Sequence, residues 1–243
     1  MSACATDVIA EMAALSRQLS PEATRYWRSH EPRFRYFLQT LATLRPPGGF
    51  PRILDVGMSF QTLILRRVCP TARIDCLGFA ADDRYQPGGE STFLPFDLND
   101  LAALAGRAPP APGYELIVCM EVLEHLYTPP ALILDYLGRC LAPGGLLLVT
   151  TPNAAWLKNR IKLCWGRNPF ELLNADRQRM GHIREYTARE LADAFAATGL
   201  APVRRERRGL YHFSSPKDRF YNRLANVLHP SLRRTLVAVY RRP

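Results

Sequence analysis

Residues 115–127 read Glu115-Leu-Ile-Val-Cys-Met-Glu-Val-Leu-Glu-His-Leu-Tyr127. The apolar run Leu116 to Met120 has the length and composition of a buried strand. It stops abruptly at Glu121, Glu124 and His125. In an open α/β sheet, ligands bind in the crevice beyond the carboxyl ends of the strands. Three ionisable groups leaving a buried strand there point to a site.

Outward from this stretch the chain alternates. Arg52 to Gly57 reads as a strand and Thr62 to Val68 as a helix. Arg73 to Leu77 and Ser91 to Pro95 read as strands, and Leu98 to Ala105 as a short helix. After the 115–127 stretch come a helix over Ala131 to Leu141, the breaker Pro143-Gly144-Gly145, and a strand over Leu146 to Thr150. Ala154 to Leu163 reads as helix. Thr187 opens a further helix with Glu190 at the capping-box spacing, and Gly199 closes it. This order predicts a mostly parallel sheet with helices on both faces. Two helical patterns precede it, Val8, Met12, Leu15, Leu19 and Phe34, Phe37, Leu38, Leu41, separated from it by Pro46-Pro47-Gly48-Gly49. The Arg25-Tyr26-Trp27-Arg28 cluster between them reads as acceptor lining or as an interface. The segment Trp165 to Ile183 is too long and polar for a plain connector and reads as a lid.

The 243 residues carry a formal net charge of +10. Between Arg204 and Pro243 eleven basic residues face only Glu206 and Asp218, so nearly all the excess sits in the last forty residues. A near-neutral core disfavours a whole-surface nucleic-acid binder. No apolar run approaches the roughly 20 residues of a membrane-spanning helix. The acidic N-terminus lacks the basic segment of a secretory leader. Six scattered cysteines without a Cys-x-x-Cys pair suit reduced thiols, and the reading is cytoplasmic. Phe220, Leu224, Val227, Leu228, then Leu232, Leu236, Val239 recur at helical spacing among basic residues. Two readings follow: helices covering the sheet edge, which is preferred, and basic amphipathic helices in peripheral contact with an inner membrane surface.

The strand-to-helix turn Asp55-Val-Gly57-Met58-Ser59-Phe60-Gln61 lets backbone approach a ligand. It lacks both the dinucleotide fingerprint Gly-x-Gly-x-x-Gly and the P-loop Gly-Lys-Ser/Thr. With Asp97 after the third strand, Met120-Glu-Val-Leu-Glu-His-Leu126, Leu141-Ala-Pro-Gly-Gly-Leu-Leu-Leu-Val149 and Gly181-His-Ile-Arg-Glu-Tyr-Thr187 in this order, the chain resembles the class I S-adenosylmethionine-dependent methyltransferases. It is similar to the group that includes the ubiquinone-biosynthesis O-methyltransferases and many bacterial small-molecule and glycan methyltransferases. The resemblance, which runs from about Arg52 to Val203, implies a Rossmann-like sheet of seven strands. With the breaker at Pro46 to Gly49 and the basic C-terminal pattern, the chain divides into a helical cap over 1–48, a cofactor domain over 49–214 and a basic helical extension over 215–243.

The resemblance also implies roles. Gly57, Met58 and Ser59 pass under the methionine moiety, and Asp55 fixes that turn or the amino group. Asp97 and Leu98 lie near the adenine, and Met120 and Glu121 flank the cofactor. At the end of the second strand, where relatives place a ribose-holding acid, this chain has Gly78, with Asp82 or Asp83 as loop substitutes. Ser59 and Gln61 stand where relatives have glycines. Glu121, Glu124 and His125 share one side of a helical turn. Adjacent carboxylates ionise together only beside a positive charge. With His182 they form a candidate site for Mg²⁺ or a similar cation. The rival reading makes His125 a general base beside Glu124. The structural reading has Glu124 capping and His125 packing. The implied activity is methyl transfer to an oxygen of a small-molecule, lipid-linked or glycan acceptor. An RNA-modifying enzyme and a non-catalytic protein with a degraded cofactor loop are the alternatives.

Overall fold

The computed structural model describes residues 5–86, 88, 91–100, 113–172 and 181–243. Seven strands form one sheet: β1 (Arg52–Val56), β2 (Arg73–Gly78), β3 (Phe93–Pro95), β4 (Tyr114–Met120), β5 (Leu141–Pro152), β6 (Ala201–Arg208) and β7 (Thr235–Arg241). Their order is β3-β2-β1-β4-β5-β7-β6. β1 to β5 run parallel, and β7 pairs antiparallel with both β5 and β6. The sheet is thus mostly parallel, as expected. The strand order reverses beside β1 and β4, so their carboxyl ends flank the topological switch point where α/β sheets bind ligands.

Among the described residues the α-helices are α1 (Ala5–Leu19), α2 (Pro21–Leu44), α3 (Phe60–Val68), α4 (Pro130–Cys140), α5 (Leu157–Cys164), α6 (Ala188–Ala196) and α7 (Pro216–Val227). Both faces of the central strands are apolar, which is why β1 and β4 read as continuous hydrophobic runs. Ile53, Leu116 and Val118 join a core with Val8, Phe34 and Phe37 of α1 and α2. Leu54, Ile117 and Cys119 join the opposite core with Leu134 and Leu137 of α4 and Phe195 of α6. The N-terminal helices therefore pack directly on the sheet. Cys69, Cys76, Cys119 and Cys140 are free and buried.

The C-terminal residues correct one expectation. Helix forms over Pro216–Val227, but Leu236 and Val239 lie in β7, inside the sheet. Leu236, Ala238 and Tyr240 enter one core, whereas Val237 and Val239 enter the other. Apolar residues three and four apart inside an unbroken apolar run fit a helix and a two-sided strand equally. The β-branched Val237 and Val239 favour the strand. The tail is thus not a separate helical extension. The short helix read over Leu98 to Ala105 falls largely outside the described residues, as does the part of the lid at 173–180.

Candidate active site

The β1 turn is closed by side chains. Gly57 has φ +81°, and a Cβ there would lie 3.2 Å from Val122 Cγ2, so glycine is needed on both counts. Asp55 is fully buried and accepts hydrogen bonds from Gln61 Nε2 (3.1 Å) and Thr62 Oγ1. Gln61 Nε2 also donates to the Gly57 carbonyl (3.0 Å). Ser59 N-caps α3 with a capping box completed by Thr62. The two departures from the glycine pattern therefore have jobs: Ser59 starts the helix and Gln61 braces the turn. Burial pushes the Asp55 carboxyl up to about 7 against the bonds from Thr62 and Gln61. Asp55 is thereby tied to Gln61 and Thr62 within the turn.

The β4 exit is different. Met120 is buried, and Glu121 follows in the left-handed region at φ +55°, the one non-glycine residue of positive φ among those described. Such a conformation costs on the order of 1 kcal/mol or more and persists only when its surroundings impose it. Three contacts impose it: Glu121 N donates to Thr150 O (2.8 Å), Thr150 Oγ1 donates to Glu121 Oε1 (2.8 Å), and Arg33 Nη1 lies 3.2 Å from Glu121 Oε2. The register that sets Met120 against Thr150 places the threonine. Burial alone would raise the Glu121 carboxyl, but Arg33 and then Arg234 hold it below its ordinary value. Arg33 comes from α2, is 3 % exposed, donates to Tyr26 Oη (2.8 Å), and leaves its Nε without a hydrogen-bond partner.

Residues 123–125 form a 3₁₀ turn. Glu124 is fully buried. Its Oε2 accepts from Thr151 Oγ1 (3.0 Å), while Oε1 has no hydrogen-bond partner. Burial first, and the charge of Glu121 second, push this carboxyl up to about 8. Its backbone carbonyl accepts from Ile183 N (2.7 Å) and Arg184 N (3.2 Å), which docks the 181–187 segment onto the turn. That docking brings His182 to His125, ring centroids 5.1 Å apart. His125 Nδ1 faces Gly181 O at 3.3 Å, and His182 Nδ1 faces Glu185 Oε1 at 3.0 Å. Burial opposes protonation of His182, but Glu185 and Glu124 outweigh it and raise its basicity.

Ligand atoms of Glu124, His125 and His182 all lie within 4.8 Å of one another. Three of the four expected metal ligands thus meet. Glu121 is not one of this group; its carboxylate meets Arg33 and Thr150. Were a metal held here, His182 would meet it through Nε2, since its Nδ1 faces Glu185. Glu185 then orients His182 as outer carboxylates orient metal-bound histidines.

At the β3 exit, Asp97 is exposed and its Oδ1 accepts from Asn99 N (2.8 Å), while Leu98 is buried. Asn99 Oδ1 in turn accepts from Tyr127 N (3.0 Å), joining the β3 and β4 exits. Gly78 ends β2, followed by the exposed Phe79. Asp82 is clamped by Arg84 (2.9 and 2.7 Å), so it stands committed to its neighbour. Trp27 of the N-terminal aromatic cluster is buried against Phe34 and Phe60. A cavity of about 340 Å³ opens beside His182 and Glu185, bordered by Trp156, Lys162, Tyr211 and Arg234.

Sequence reasoning missed Arg33, Thr150, Thr151 and Arg234, which meet the acids only through the fold. Glu185 had a signal, three residues after His182 in the quoted block.

The strand order, with its single antiparallel strand, and a ligand corner at the β1 and β4 tips define a protein with the fold of S-adenosylmethionine-dependent methyltransferases. The family described as "Methyltransferase domain" matches residues 26–205, and the chain belongs to it. Among solved structures, the N-methyltransferase NodS from Bradyrhizobium japonicum WM9, in complex with S-adenosyl-L-homocysteine, is 18 % identical over 95 % of this chain and 97 % of its own, with TM-score 0.54. A putative methyltransferase in complex with the Haloferax volcanii Trm112 activator is 17 % identical over 97 % of both chains (TM-score 0.58). The Burkholderia thailandensis 1,6-didemethyltoxoflavin-N1-methyltransferase is 16 % identical over 99 % of this chain and 91 % of its own (TM-score 0.52). No curated protein matches the chain in sequence.

Proposed function

We propose that the chain transfers a methyl group from S-adenosylmethionine to an oxygen of a small-molecule, lipid-linked or glycan acceptor, as in the ubiquinone-type O-methyltransferases it resembles. The observation that carries this is the buried acidic corner at the β4 exit. Glu121 is strained and ion-paired, and Glu124 keeps an unsatisfied carboxyl oxygen beside His125 and His182.

The residues fit the cofactor better at one end than at the other. At the methionine end, Arg33 and Glu121 offer a buried cation and anion, which complement the carboxylate and ammonium of an amino acid. The Gly57, Met58 and Ser59 turn offers close backbone approach. At the ribose end, Gly78 supplies no carboxylate and Asp82 is held by Arg84. Met120, Asp97 and Leu98 border the base. Bound there, S-adenosylmethionine supplies an already activated methyl group. The chain's own work is to orient the acceptor, exclude water and receive a proton.

For the proton there are two arrangements. His125 or His182 accepts it directly, with Glu124 beside them. Alternatively Glu124, His125 and His182 hold a divalent cation, which would lower the acceptor hydroxyl's pKa. A donor set of two imidazoles and one carboxylate suits Mn²⁺ or Zn²⁺ better than the Mg²⁺ that four ligands including Glu121 suggested.

Calorimetric titration with S-adenosylmethionine is the test. Saturable binding, lost in Arg33→Met, is the expected result. Absence of binding would leave the non-catalytic reading, which the Gln61 brace and Gly78 support. Titrating Mn²⁺ into chelator-treated protein decides the second point: binding that His182→Ala abolishes favours the cation, and no binding favours the histidine base.

A further inference from the structure

We propose that the face built by α5, residues 165–172 and α7 docks on an anionic lipid surface. Exposed large apolar side chains concentrate there. Leu163, Trp165, Phe170 and Leu172 come from the end of α5 and the following loop, with exposures from 43 to 90 %. Phe220, Val227 and Leu228 come from α7 and its end, exposed by 62, 85 and 46 %. The two elements are held together by the Lys158–Asp218 ion pair (2.6 Å). A soluble surface scatters such residues singly; a cluster calls for a partner.

The surrounding charge selects the partner. Arg160 and Arg167 flank the first group, and Lys217, Arg219 and Arg223 surround Phe220; all five are exposed. Lys217, Phe220, Arg223 and Val227 follow one another at three- and four-residue steps, so they share a stripe of α7. Among the described residues, Glu171 is the exposed acid of this face, since Asp218 is taken by Lys158. Alternating apolar and cationic groups match an interface of acyl chains under anionic headgroups. The apolar members have no use in gripping phosphates, which sets lipid above nucleic acid. The face also borders the cavity beside His182, through Lys158, Lys162 and Pro169. An amphiphilic acceptor would then reach the site from the membrane. This surface includes α7, as the basic tail suggested, but excludes Leu236 and Val239, which are buried in β7.

Trp165 gives a built-in reporter. It is 77 % exposed, whereas Trp27 and Trp156 are 2 % and 6 % exposed. Adding phosphatidylcholine vesicles containing phosphatidylglycerol to the full-length protein should shift its emission to the blue and co-sediment it, and raised salt should reverse both. Pure phosphatidylcholine vesicles should do neither. Arg219→Glu with Arg223→Glu should weaken sedimentation on the order of tenfold or more. Trp165→Ser should weaken it as well, and Trp165→Phe should abolish only the spectral shift. S-adenosylmethionine binding by the same variants, measured by calorimetry, should be unchanged, which separates this proposal from the enzymatic reading. No sedimentation with anionic vesicles would overturn the proposal. So would sedimentation indifferent to the charge reversals, or salt-sensitive binding of RNA with none of vesicles.

Discussion

The tips of β1 and β4 are neighbours in the sheet, and they end in opposite states. At β1, both oxygens of Asp55 are satisfied by Gln61 and Thr62, and the glycine turn is braced from within. At β4, Glu121 sits in a strained conformation against a buried arginine, and Glu124 is buried with one oxygen unpaired. Buried polar groups are nearly always hydrogen-bonded, so an exception asks for a reason. The first tip is satisfied from within; the second keeps one buried carboxyl oxygen, Glu124 Oε1, without a hydrogen-bond partner. Two buried carboxyls on neighbouring strands thus differ in what remains unmet around them.

The largest test of this contrast is Arg33→Ala. It leaves Glu121 charged and buried without its ion-pair partner, with Arg234 as the remaining nearby cation, and should cost about 3–5 kcal/mol in chemical denaturation. A loss under about 1 kcal/mol would mean the pair is solvated and the corner is not tense.

Next comes pH. Glu124 and Asp55 have folded values of about 8 and about 7, above their ordinary 4.5 and 3.8. Both carboxyls hold protons in the folded state that the unfolded chain has released. Their stabilising contribution is therefore complete below about pH 4 and declines as pH rises to about 8. Thermal unfolding across pH 5 to 8 should show stability falling, at a slope on the order of 1 kcal/mol per pH unit. Glu124→Gln should flatten the upper part of that slope. A slope unchanged in this variant would place the titration elsewhere.

A smaller effect is expected at the β1 tip. Ser59→Ala removes the cap of α3 and should lower stability by about 1 kcal/mol in the same denaturation measurement, with the corner at β4 unaffected. Smallest of all, Asp82→Ala removes an exposed pair with Arg84 and should change stability by less than about 0.5 kcal/mol. It should also leave S-adenosylmethionine affinity in place; a large loss of binding would make Asp82 the missing ribose partner after all.

The alternation of strands and helices, the glycine turn at Gly57, the capping box at Thr187 and the acidic end of β4 were legible in the linear chain. Each is a local rule: a period, a turn residue, a cap spacing. The pairing of His182 with His125 was legible only through resemblance, because nothing local links residues so far apart. The strand at Thr235–Arg241 was misread because spacing within an apolar run does not distinguish a helix from a strand buried on two faces.

Sequence by itself thus determined the class of sheet and the residues that would carry charge to its carboxyl edge, since period and composition act through neighbours a few residues away. Only tertiary structure decided which of those charges are neutralised and which are left wanting. Arg33 reaches Glu121 from a helix that precedes the sheet, Thr150 and Thr151 arrive through strand register, and Glu185 turns His182 by the docking of a distant loop. Desolvation and Coulomb forces depend on what surrounds a group in space, and folding alone assembles those surroundings.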